Sequence, residues 1–166
     1  MKKLKKYLKL HIMIPLVGIF GLVGLMFYLS SQNGMQSRRL SRGILKAFSN
    51  LTVPDSVKNS FQKVINADFL FRKTAHFFEY FILALLIYFL LRGLKVSIRK
   101  SRIITMIGCG LFAITDELHQ VFVNGRSALA MDLIIDIIGS ISAMILIYFV
   151  TNRKRAVATL PKNISK

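Results

Sequence analysis

Four apolar runs, at about residues 12–31, 75–91, 103–123 and 129–150, each approach the roughly 20 residues an α-helix needs to cross the hydrocarbon core of a bilayer. Lipid offers backbone amides no hydrogen-bond partners, so runs of this length have almost no option except the helix. The chain is 54% hydrophobic, its mean hydropathy is +0.53, and its 19% of charged residues gather mostly between the runs. These features predict an all-α membrane protein of one domain over residues 1–166. Its fold is a four-transmembrane-helix bundle with short amphipathic interfacial helices between spans 1 and 2.

The first run follows Lys2, Lys3, Lys5, Lys6 and Lys9, in the manner of a signal peptide. Its apolar part is too long for a signal h-region and no Ala-x-Ala site follows, so it reads as a retained anchor. Gly18, Gly21 and Gly24 recur on a three-residue step, as close helix packing would require.

Short-loop lysines and arginines set orientation. The N-terminus carries five. The 92–102 loop carries five more, Arg92, Lys95, Arg99, Lys100 and Arg102, and the tail from 151 to 166 another five, Arg153, Lys154, Arg155, Lys162 and Lys166. With four spans, all three segments fall on one side, which places both termini in the cytoplasm and segment 32–74 outside. The net charge of +17 is then mainly a topology signal and an attraction to anionic lipid. A nucleic-acid partner would need a soluble basic face, and the pattern offers none.

The external segment carries helical periodicity of its own. At about 100° per residue, Leu40, Ile44, Phe48 and Leu51 share one face and Arg38, Arg39, Arg42 and Lys46 the opposite one. After Thr52-Val53-Pro54-Asp55, a second stripe of Val57, Phe61, Val64 and Ile65 leads toward the second span. Both short helices either lie in the membrane interface or pack on the bundle. The tail after Thr151 reads as a disordered basic end. The single cysteine, Cys109, excludes an intramolecular disulfide and reads as a small packed residue.

Five of the seven acidic residues and two of the three histidines sit inside or at the mouth of the apolar runs. They form three groups: Arg72, Lys73, His76, Glu79 and Tyr80; Asp116, Glu117, His119 and Gln120; Asp132 and Asp136. Each such charge costs about 2.5 to 3.5 kcal/mol at the centre of a spanning helix, so the groups must face one another, water or a ligand. In the expected topology all three groups reach the outer leaflet, where Ser30, Ser31 and Gln32 end the first span. Arg72, Lys73, His76, Glu79 and Tyr80 fall within about 100° of arc, as do Asp132, Asp136, Gly139, Ser140 and Ala143. The third helix is broader, with Glu117 and His119 to either side of Asp116, Gln120 and Asn124, so one of those two can face a different neighbour.

Several roles suit these residues. Interhelical glue is one, with Arg72, Lys73 and Arg126 neutralising acids. Metal binding by His76, His119, Glu79 and Asp116 lacks a paired-His signature, and no metal or cofactor is expected. Acid–base catalysis would draw on Glu79, Asp116, Glu117, His76 and His119, and the same groups suit proton relay in a carrier. A polar pocket under a basic rim also suits recognition without reaction, for example of a lipid-linked phosphate or another amphipathic envelope molecule. No serine or cysteine nucleophile stands beside a base, so the residues lean toward binding rather than catalysis.

Together, Ser30-Ser31-Gln32-x-Gly34, Arg72-Lys73-x-Ala75-His76-Phe77-x-Glu79-Tyr80, Asp116-Glu117-x-His119-Gln120-x-Phe122-Val123-x-Gly125-Arg126 and Asp132-x-x-x-Asp136-x-x-Gly139 resemble the VanZ-like family. Asn124 stands where that family often has Pro, and Asp136 where Asn is frequent. The resemblance implies a multi-pass protein of the bacterial cytoplasmic membrane. In some members it implies lowered susceptibility to teicoplanin-type glycopeptides, and it implies no established reaction. The expected partners are membrane lipids together with a lipid-linked cell-wall precursor or a glycopeptide. The expected ligand-binding set is Arg72, Lys73, His76, Glu79, Tyr80, Asp116, Glu117, His119, Gln120, Arg126, Asp132 and Asp136.

Overall fold

The computed structural model describes residues 2–33, 67–124 and 130–158, together with 35–37, 39–40, 43–44 and 47. Four long helices account for most of them: α1 (Lys2–Ser30), α2 (Ala67–Gly93), α3 (Ile98–Val121) and α4 (Ala130–Ala158). Among the described residues there is no strand.

Three helices are long and apolar enough to cross a membrane, over Lys9–Ser30, Leu70–Gly93 and Met131–Arg153. The third helix is 24 residues long but less apolar overall, because its last turns carry Asp116, Glu117, His119 and Gln120.

The helices overrun the apolar runs. The first begins at Lys2, the second at Ala67 rather than near 75, and the fourth continues to Ala158. The tail expected to be disordered from 151 is therefore helical in its first two turns. An apolar run marks what lipid accepts, whereas Lys and Arg are good helix formers and suit a helix C-terminus. In the segment after α1, Leu40 and Ile44 have helical backbone and are exposed. Phe48, Leu51 and the stripe from 57 to 65 lie outside the described residues.

The second helix is the hub, packed against α1, α3 and above all α4. One buried cluster draws on all four helices: Met26; Tyr80, Leu83 and Ala84; Cys109 and Ala113; Ala143. A Cβ at Gly139 would overlap the Phe77 carbonyl oxygen and lie 3.2 Å from the carbonyl carbon, so α2 and α4 meet backbone to backbone. Of the three stepped glycines, only Gly18 makes a close approach, a Cβ built there lying 3.1 Å from Leu86 Cδ2; a Cβ built at Gly21 or Gly24 meets nothing within 4 Å. A step of three residues advances about 300° around a helix, so the three positions drift off a single seam.

Neighbouring helices run antiparallel. A Cβ built at Gly93, at the end of α2, would lie 3.0 Å from the carbonyl oxygen of His11 near the start of α1. Arg102, near the start of α3, donates from Nη2 to Thr151 Oγ1 late in α4 at 3.1 Å and stands 5.3 Å over the Tyr148 ring. The turn between α2 and α3 closes with Lys95 at φ 62. The ends of α1 and α3 therefore gather with the starts of α2 and α4 at one end of the bundle.

Candidate functional site

The polar groups converge at that end. On α4, Asp132, Asp136, Ser140, Ala143 and Ile147 are buried and Gly139 lies against α2, the stripe that three- and four-residue spacing requires. On α3, Ser101, Thr105, Cys109, Ala113, Asp116, Glu117 and Gln120 form the inward face. On α2, Tyr80 is fully buried, and the His76 and Glu79 side chains retain 16% and 17% exposure.

Lys73 Nζ pairs with Asp132 Oδ1, tying the entrance of α2 to the first turn of α4. That turn also favours a carboxylate through its unpaired backbone N–H groups. One helical turn deeper, His76 Nδ1 lies 3.4 Å from Asp136 Oδ1 and 3.9 Å from Glu79 Oε2, so one imidazole stands between two carboxyl groups. Asp136 has a fully buried side chain, and neither of its oxygens has a hydrogen-bond partner. Its His76 contact has ion-pair distance without hydrogen-bond geometry. Asp116 and Asp132 are both within electrostatic reach of Asp136. Gln120 Nε2 donates to Asp116 Oδ2 at 3.1 Å.

Tyr80 completes the floor. Its hydroxyl is buried without a hydrogen-bond partner and lies within electrostatic reach of Asp136, Asp116 and Glu79. Its ring packs toward Phe112, centroids 6.2 Å apart. Cys109 is 1% exposed and borders this floor as a packed residue.

The expected set is thus largely brought together: Lys73, His76, Glu79 and Tyr80 from α2, Asp116 and Gln120 from α3, Asp132 and Asp136 from α4. Glu117 is buried on the inward face of α3. His119 faces elsewhere, its ring 4.6 Å from that of Phe27 on α1 and tilted by 30°. Arg72 is half-buried, with no hydrogen-bond partner at Nε, and Arg126 lies outside the described residues.

Two packing features of the bundle escaped the sequence reading. Thr105 is fully buried with an unpartnered hydroxyl, on a stripe of Ser101, Thr105, Cys109 and Ala113 whose four-residue steps were the available signal. Phe27 carried none, because an aromatic ring in an apolar run is indistinguishable from its lipid-facing neighbours. What the arrangement offers chemically is a dense set of acceptors, one histidine held among acids, and one lysine already paired.

Comparison with curated proteins gives no match, and comparison with solved structures gives none either. Residues 16–151 match the model of the family described as VanZ/LLP1, a span that runs from the first helix to the last and contains every residue of the cluster. The chain belongs to the VanZ/LLP1 family.

Proposed function

We propose that this protein crosses the bacterial cytoplasmic membrane four times with both termini inside, and that its polar cluster binds a lipophilic envelope molecule at the outer leaflet. In doing so it lowers susceptibility to teicoplanin-type glycopeptides. Asp136 carries the binding reading: a carboxyl group with no solvent exposure and no hydrogen bond, faced only by His76 Nδ1 at 3.4 Å, has a cost that glue meets only in part.

Support for a fourth span comes from how α3 sorts its residues. Its exposed side is apolar, with Ile103, Ile104, Ile107, Leu111, Ile114 and Leu118 all outward, while its acids and amide turn inward. The exposed Thr115 hydroxyl is satisfied by the Leu111 carbonyl at 2.9 Å. At about 1.5 Å per residue its 24 residues span about 36 Å, enough for a bilayer core.

Expression in a susceptible host, with teicoplanin and vancomycin titrated in parallel, tests the function. Wild type raises the inhibitory concentration of teicoplanin over empty vector and Asp136→Asn does not; equal values for wild type and vector overturn the resistance role. Single cysteines at Ser97 and Asn124 in a Cys109→Ala background test the topology. Asn124→Cys reacts with an impermeant thiol reagent in whole cells and Ser97→Cys only after lysis.

The placement of His76 between Asp136 and Glu79 favours one second reading, acid–base catalysis on a lipid-linked cell-wall precursor. It predicts turnover of that precursor by purified protein, abolished by Glu79→Gln; an unchanged precursor mass profile removes it.

A further inference from the structure

On the reading that this cluster binds an envelope molecule, the chemistry of its walls narrows what that molecule presents. The chain as a whole is strongly basic, at +17. Yet among the described buried and half-buried residues at this end, two fixed cations, Arg72 and Lys73, stand against five carboxyl groups, Glu79, Asp116, Glu117, Asp132 and Asp136, a formal balance of −3 with His76 neutral and −2 with it protonated. Lys73 is already engaged by Asp132.

Tyr80, on a different helix from the buried aspartates, points the same way independently. It is fully buried, and its hydroxyl has no partner although it lies within electrostatic reach of Asp136, Asp116 and Glu79. Asp136, equally buried, adds two carboxyl oxygens without hydrogen bonds. These unmet groups are mostly acceptors. Ionised carboxylates only accept, and a phenol accepts as readily as it donates.

We propose that the group received here is a protonated amine carried on a lipophilic envelope molecule. An ammonium brings three donors and a positive charge, matching the Asp136 carboxyl group, whose Oδ1 has only His76 Nδ1 near it at 3.4 Å, and the Tyr80 hydroxyl. An ionised phosphate brings only acceptors and negative charge to walls of the same kind, and like-charge juxtaposition rejects partners. His76 and Glu79, with their residual exposure, lie on the reachable side, and Asp136 closes the inner end.

The test uses the full-length protein in phosphatidylcholine nanodiscs, with dodecylammonium, dodecyl phosphate and dodecanol as probes. Binding is read by calorimetry and corrected against empty nanodiscs. Dodecylammonium binds wild type at least tenfold more tightly than either other probe; Asp136→Asn loses that tenfold, and Tyr80→Phe, which keeps the packed ring, loses severalfold. Tighter binding of dodecyl phosphate, lost in Lys73→Met, overturns the amine assignment and leaves the binding site standing. No difference between wild type, Asp136→Asn and Tyr80→Phe with any probe overturns the binding site itself.

Discussion

Replacing Gly139 with alanine adds a single methyl group where α4 touches the backbone of α2. The built Cβ overlaps the Phe77 carbonyl oxygen and lies 3.2 Å from the Phe77 carbonyl carbon and 3.3 Å from the Phe81 nitrogen. All three are backbone atoms of a continuous helix, so no side chain can rotate away and the helices must separate. Overpacking of this kind costs about 1–3 kcal/mol, and the rigid partner puts Gly139→Ala at the upper end. Alanine returns about 1 kcal/mol through better helix propensity, leaving a net loss of about 2 kcal/mol. That is about 30-fold in the folding equilibrium. Gly21, in the exposed part of α1 with nothing within 4 Å of its built Cβ, supplies the control. Gly21→Ala gains the propensity without the clash. Reversible unfolding of both variants in mixed detergent micelles measures the difference, and Gly139→Ala should also weaken whatever ligand wild type binds, since Asp136 sits one turn away on the same face. Equal stabilities for the two variants would refute the close α2–α4 contact as the organising seam of the bundle.

Lys73→Met leaves the Asp132 carboxylate, about 10% exposed, without its partner; the expected loss is about 3 kcal/mol, and Lys73→Met with Asp132→Leu recovers at least half of it in the same unfolding assay. His119→Ala removes the ring contact with Phe27 at a cost of about 1 kcal/mol. His119→Phe restores it, and neither variant alters teicoplanin susceptibility; a functional loss in His119→Phe would bring that histidine into the site. At the opposite end, Arg102→Lys gives up the planar fit over Tyr148 and the Thr151 bond, for about 1 kcal/mol. Tyr148→Leu costs a similar amount, and a double-mutant cycle shows coupling between the two.

Much of this arrangement is legible in one dimension because helical faces are local. The four-residue step from Asp132 to Asp136, with Gly139, Ser140 and Ala143 following, places all five on one side of any helix they form, and that side is the buried one. His76 and Tyr80 share a face for the same reason, and the alternation of apolar runs with basic loops gives the order of the helices. The ends of the helices were less legible. Hydropathy marks where lipid lies, while the lysines before residue 10 and the basic residues after 151 continue the helices at no cost in backbone hydrogen bonds.

Which partner each face meets depends on the rotation and depth of one helix against another, and no spacing within a single helix encodes that. Arg72 and Lys73 are equivalent as sequence, yet Lys73 is the one paired with Asp132. Glu117 and His119 flank the same stripe, yet Glu117 turns into the bundle and His119 turns to Phe27. Gly18, Gly21 and Gly24 repeat evenly, yet only Gly18 meets a neighbour. By itself the sequence determined a bundle of long helices with acids gathered at one end. Tertiary packing decided that Asp136 would be the acid sealed without a hydrogen bond, because only the contact of α4 with α2 at Gly139 brings it beneath His76 and beside Tyr80.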